Sequence, residues 1–102
     1  MTETLLPLRF SEEAADELEA AAHWYEEQRR GLGSEFIRTV EARLDSIQRT
    51  PQLYPCIYRE NVRRALLKRF PYGLIFRDLS NRIEIISVFH LRRDPAKLTK
   101  RL

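Results

Sequence analysis

A chain of 102 residues, 43% hydrophobic and 32% charged with a net charge of +3, has room for one modest core, so a single soluble domain over residues 1–102 is expected. No run approaches the roughly 20 apolar residues that cross a bilayer, and "MTETLLPLRF" lacks the basic start and apolar stretch of a signal peptide, so a cytoplasmic protein without a membrane partner is expected. One cysteine, Cys56, and two histidines, His23 and His90, cannot build a disulfide or a zinc site, and no glycine-rich phosphate loop occurs; neither metal nor cofactor is expected.

"LLPLRF" (5–10) reads as a first strand, and Pro7 assigns it to a sheet edge because proline donates no ladder hydrogen bond. Ser11 is an N-cap, followed by Glu12 and Glu13, which suit the positive end of a helix dipole. Ala14, Leu18, Ala21, Ala22 and Tyr25 then recur at helical steps, and Gly31 is expected to end this helix in a left-handed conformation. Phe36, Ile37, Val40, Leu44 and Ile47 form the apolar stripe of a second helix, closed by Thr50-Pro51. Two amphipathic helices so closely joined must pack as an antiparallel hairpin.

The second half changes period. "YPCIY", "VRRALLKRF", "YGLIFRDL" and "RIEIISVFH" are rich in β-forming residues, with a bend at "FPYG" and a hairpin turn at "LSNR" (79–82). The last of these is apolar on both faces, as in a strand covered on both sides. Asp94-Pro95 opens a short C-terminal helix as N-cap and N1 proline. The expected fold is α+β: an N-terminal edge strand and a helical hairpin packed on a mainly antiparallel sheet, β-α-α-β-β-β, with a short C-terminal helix.

Charge is unevenly spread. Residues 1–58 hold 6 Lys/Arg against 11 Asp/Glu, a balance of −5, and residues 59–102 hold 12 against 4, a balance of +8. The basic half suits either a nucleic acid or an acidic protein segment.

Four stretches, "AAHWYEEQRRGLGSEF" (21–36), "P-x-x-YP" (51–55), "VRRALLKRFPYGLIFR" (62–77) and "VFHLRRDP" (88–95), resemble in order the RelE/ParE superfamily of type II toxin–antitoxin toxins. "WYEEQRRGLG" and "KRFPY" are closer to the ParE and plasmid-stabilisation branch than to the RelE branch. The resemblance implies a growth inhibitor held in a hetero-oligomer by an antitoxin whose tail folds as it wraps the toxin. ParE-like members poison DNA gyrase, whereas RelE-like members cut mRNA on the ribosome. A non-toxic relative that keeps only antitoxin binding is the third reading.

An endoribonuclease needs a base, an acid and cations for the phosphorane charge. Arg64, Arg77, His90, Arg92 and Arg93 are the candidates, although the C-terminal tyrosine of the RelE-like pattern is absent. If the chain is ParE-like, no catalytic residue is expected. His90 has an alternative role, ending a strand and hydrogen-bonding locally. For partner binding the candidates are Trp24, Tyr25, Arg63, Arg64, Arg69, Arg92 and Arg93. Arg63 and Arg64, adjacent in a strand, must point to opposite faces. Either Tyr25 caps the hairpin core with Trp24 at its margin, or Trp24 is part of an apolar patch that receives an antitoxin helix.

Overall fold

Residues 5–102 are described by the computed structural model. The first strand, β1, is shorter than "LLPLRF" and covers Leu8–Phe10. Pro7 stands just ahead of it, and its carbonyl accepts the Ile83 N–H at 2.8 Å. Ser11 then caps α1 (Glu12–Gln28), its hydroxyl accepting the Ala14 N–H at 3.1 Å.

The hairpin connection differs from expectation. α1 ends with Arg29 in extended backbone, two residues before Gly31. Gly31 does adopt the left-handed conformation, φ 89°, but it serves the start of α2 (Leu32–Arg49). The orphan N–H groups at that start have no cap from their own residue. They are taken by Glu26 of α1, whose carboxylate accepts from Gly31 N at 3.0 Å and Gly33 N at 3.1 Å. A carboxylate placed at a helix N-terminus is also favoured by the dipole. Thr50-Pro51 closes α2 as expected, with a 3₁₀ turn at Pro51–Leu53 that the periodicity did not reveal.

The order β-α-α-β-β-β holds, with a short additional strand, β2 (Cys56–Tyr58), ahead of β3 (Val62–Leu66), β4 (Tyr72–Asp78) and β5 (Ile83–His90). The sheet order is β1-β5-β4-β3-β2. β1 pairs in parallel with β5, and the other pairs are antiparallel. "LSNR" makes its turn through a Leu79 N–H to Arg82 carbonyl bond of 3.0 Å. The last helix, α3 (Ala96–Thr99), begins one residue later than expected, with Pro95 as its N-cap, and Asp94 just ahead accepts the Ala96 N–H at 3.0 Å.

One sheet face packs on the helical hairpin. Phe36, Val40 and Ile47 of α2 and Ala14 and Ala21 of α1 meet Leu74, Phe76, Ile83, Ile85 and Val88. Each large side chain buried there stabilises the fold by about 1.5–3 kcal/mol. Val62, Ile75, Ile86 and Phe89 lie on the other face, where Leu98 of α3 covers them. Ile85 pairs with Phe76 and Ser87 with Ile75, so Ile86 is an extra residue, a β-bulge. Beyond the bulge the alternation is displaced by one residue. Val88 faces the hairpin, Phe89 faces α3, and His90 comes out opposite Tyr72 on the hairpin side. No helix among the described residues is long and apolar enough to cross a membrane.

Candidate functional site

α1 places Glu17, Ala21 and Trp24 on one face at three- and four-residue steps. That face looks across to the end of the sheet where β4 begins and β5 ends, and a groove of about 670 Å³ lies between them. Trp24, Tyr25, Tyr72 and the His90 ring form one part of its lining. Tyr25 contacts Trp24 and Tyr72 with ring centroids 5.1 and 6.2 Å away, and Tyr72 meets His90 edge-on at 4.9 Å. Tyr25 also packs on Phe36 and Phe70, so it belongs to the hairpin core, whereas Trp24 is 55% exposed at the rim. Burial pushes the Tyr25 hydroxyl upward, reinforced by Tyr72. It also raises Tyr72, with Arg93 opposing and Glu17 assisting. Both phenols therefore stay protonated at neutral pH, and neither supplies a general base.

The groove ends in a carboxylate. Glu17 Oε1 accepts the Ser87 hydroxyl at 3.0 Å and the Val88 N–H at 3.1 Å. Arg93 reaches its Oε2 at 2.6 Å, and Arg101 grips both oxygens at 2.9 Å while donating to the Ile86 carbonyl at 3.0 Å. These groups occupy the edge of β5 that β1, ending at Phe10, leaves unpaired, so two side chains supply the missing ladder partners. Burial pushes the Glu17 carboxyl up, but the bonds from Arg101, Arg93 and Val88 outweigh it and hold the group below the ordinary carboxylate value. The sequence carried a signal for this. Glu17 lies on the apolar stripe between Ala14 and Ala21, where a carboxylate requires a cation, but nothing local points to Arg101.

Three of the five ribonuclease candidates, His90, Arg92 and Arg93, line the groove, and Arg64 and Arg77 do not join them. His90 and Arg92 border the groove on the hairpin side. Arg64 pairs with Ile75 and Arg77 with Val62, which places both on the opposite face. Arg64 is exposed there, and Arg77 lies 3.8 Å from Glu84 and donates to the Arg101 carbonyl at 3.3 Å. Arg93 straddles the edge between the faces, bound to Glu17 and stacked over Phe89 at 5.1 Å. His90 Nδ1 accepts the Arg92 N–H at 3.0 Å, which leaves the Nε2–H tautomer for the neutral ring.

The remaining partner-binding candidates are dispersed as well. Arg63 shares the hairpin side with Phe76, lies 3.3 Å from Asp78 and donates to the Tyr54 carbonyl at 2.6 Å. Its Nε is buried without a hydrogen bond, because the contact to Asp78 is ionic and poorly angled. Arg69 sits in the β3–β4 turn at φ 71°, 3.2 Å from Glu35 and over the Phe70 ring. Among the described residues no cluster of His, Cys, Asp and Glu has the makings of a metal site.

A family model, "ParE toxin of type II toxin-antitoxin system, parDE", matches residues 8–95. Among solved structures, a chain from the chromosomal ParDE toxin–antitoxin system of P. aeruginosa superposes with a TM-score of 0.74. The two are 18% identical, and the alignment covers 86% of this chain and 98% of that one. At that identity the likeness establishes the fold. No curated protein matches the chain.

Proposed function

The chain belongs to the ParE toxin family of type II toxin–antitoxin systems, and we propose that it is a binding poison of DNA gyrase that performs no hydrolysis of its own. The observation that carries this reading is the division of the candidate catalytic groups. His90 and Arg92 lie on one face of the sheet and Arg64 and Arg77 on the other, and Arg93, which lines the groove with the first pair, is bound to Glu17, so the five groups do not gather around one phosphate. The choice of gyrase follows from the family resemblance.

We further propose that the cognate antitoxin, acting in the cytoplasm, inserts an apolar segment into the groove beside Trp24. An exposed tryptophan next to Tyr72 and His90, with Arg92 at the rim, has the make-up of an interface anchor with a polar surround. Trp24→Ala is expected to weaken antitoxin binding by about 30-fold, the equivalent of a 2 kcal/mol anchor, while leaving the fold intact. Titration of the purified pair measures this, and unchanged affinity would place the antitoxin elsewhere.

The gyrase reading is tested by inducing the chain in cells that lack the antitoxin. Filamentation and a DNA-damage response are expected, with His90→Ala equally toxic. Cuts in mRNA at codon-defined positions that vanish in His90→Ala would instead establish a ribosome-dependent endoribonuclease. Absence of any growth defect would identify a non-toxic relative.

A further inference from the structure

A second groove, of about 560 Å³, lies on the outer side of α2, where the β3–β4 turn folds against it. It shares no lining residue with the Trp24 groove. Four cations line it, Arg38, Arg43, Lys68 and Arg69, against a single carboxylate, Glu35. That carboxylate is already committed, lying 2.9 Å from Arg29 and 3.2 Å from Arg69. Arg38 and Lys68 are exposed and have no carboxylate partner among the described residues. Arg43 is braced by the Tyr54 hydroxyl at 3.3 Å, a neutral partner that leaves its charge unbalanced.

The cations surround the groove. Arg38 and Arg43, five residues apart on α2 and so about 140° apart around its axis, flank Thr39 and Ala42 on either side, and the turn adds Lys68 and Arg69. Arg69 reaches this position through a left-handed backbone, φ 71°, which a non-glycine residue adopts only at some cost. The uncharged lining consists of Thr39 and Ala42, so the groove offers no pocket for the aromatic or aliphatic anchor that a protein partner would need. A cluster of guanidinium and ammonium groups around a groove without an apolar anchor matches the phosphates of a nucleic-acid backbone.

We propose that this groove binds the phosphate backbone of a nucleic acid, with Arg38, Arg43 and Lys68 as the principal contacts and Arg69 held in place by Glu35. Recognition is independent of sequence, because nothing in the groove reads a base edge. The proposal stands whether or not gyrase is the target.

The test is titration of the full-length chain with a fluorescent 20-base-pair DNA duplex of arbitrary sequence. Three phosphate contacts predict a salt slope of about −2.7, or about a 40-fold loss of affinity between 50 and 200 mM salt. The double variant Arg38→Ala/Lys68→Ala retains one of the three, so its loss over that range should shrink to about 4-fold. Its thermal melt should match the parent, since both side chains are exposed and unpartnered. Arg64→Ala and Arg92→Ala should bind as the parent does. No duplex binding at 50 mM salt, or a double variant with the parent's slope, overturns the proposal. So does a charge-matched polyglutamate peptide that binds more tightly than the duplex, which would assign the groove to an acidic protein segment.

Discussion

Glu17→Ala is expected to lower the melting temperature by about 10–20 °C, the equivalent of about 2–3 kcal/mol in a domain of this size. The substitution removes the acceptor of the Ser87 hydroxyl, the Val88 N–H and two guanidinium groups in one step. Val88 is buried at the edge of β5, and its N–H would be left without a partner. Arg101 would lose its two-point grip on α1, keeping there only the exposed Glu13 at 3.1 Å, and the anchor of the C-terminal segment over Ile86 and Phe89 would loosen. Glu17→Gln separates the charge from the hydrogen bonds and should have roughly half the effect.

The two variants should also differ from the parent in acid. The folded state holds the Glu17 carboxyl below its unfolded value of 4.5. Its stabilisation is therefore fully present above pH 4.5 and is lost as pH falls through the lower, folded value. Urea melts between pH 7 and pH 3 should show the parent losing more stability than Glu17→Gln over this interval. Parallel losses would mean that the carboxylate contributes no net stability through its charge.

Gly33→Ala is the second large effect. A Cβ at this position would lie 2.6 Å from the Ala22 carbonyl oxygen and 3.0 Å from the Glu26 Cβ. The first obstacle is backbone, so α1 and α2 must separate to admit a methyl group. Overpacking of this kind costs about 1–3 kcal/mol, and separation would also loosen the Glu26 cap on the Gly31 and Gly33 N–H groups. Alanine gains up to about 1 kcal/mol in helix propensity, so the net result is a loss. Ser34→Ala, one residue on and exposed, is the neutral control. A Gly33→Ala protein as stable as the parent would show that the hairpin crossing relaxes freely.

Features governed by neighbouring residues were legible in the sequence. Ser11 as cap, Phe36–Val40–Ile47 as buried stripe, "LSNR" as turn and Asp94-Pro95 as the opening of α3 all follow from local chemistry. Arg63 and Arg64 on opposite faces followed from strand geometry. What escaped depended on distant partners. The run "RIEIISVFH" is apolar on both faces, so its pattern cannot show that Ile86 is an extra residue, and the bulge decides which side His90 occupies. Glu26 as the cap of α2 and Arg101 as the partner of Glu17 join residues that no local pattern links. Charge summed by halves of the chain also concealed the basic groove on α2, because Arg38 and Arg43 were counted within the acidic half. Family motifs identified the chain where periodicity could not, yet they did not reveal how the candidate arginines divide between the faces.

The parallel pairing of β1 with β5 has a bearing on how the chain assembles. The helical hairpin and the meander from β2 to β5 are each built from contacts close in sequence. They are joined when Phe36, Val40 and Ile47 pack on the sheet, when Leu8 meets Ile83 and when Glu17 meets Arg101, 84 residues away. Contacts of such separation form late, since the closure entropy of a long loop must be overcome before they contribute. Closure of the sheet at β1 and of the clamp at Glu17 is therefore expected to be the slow step of refolding.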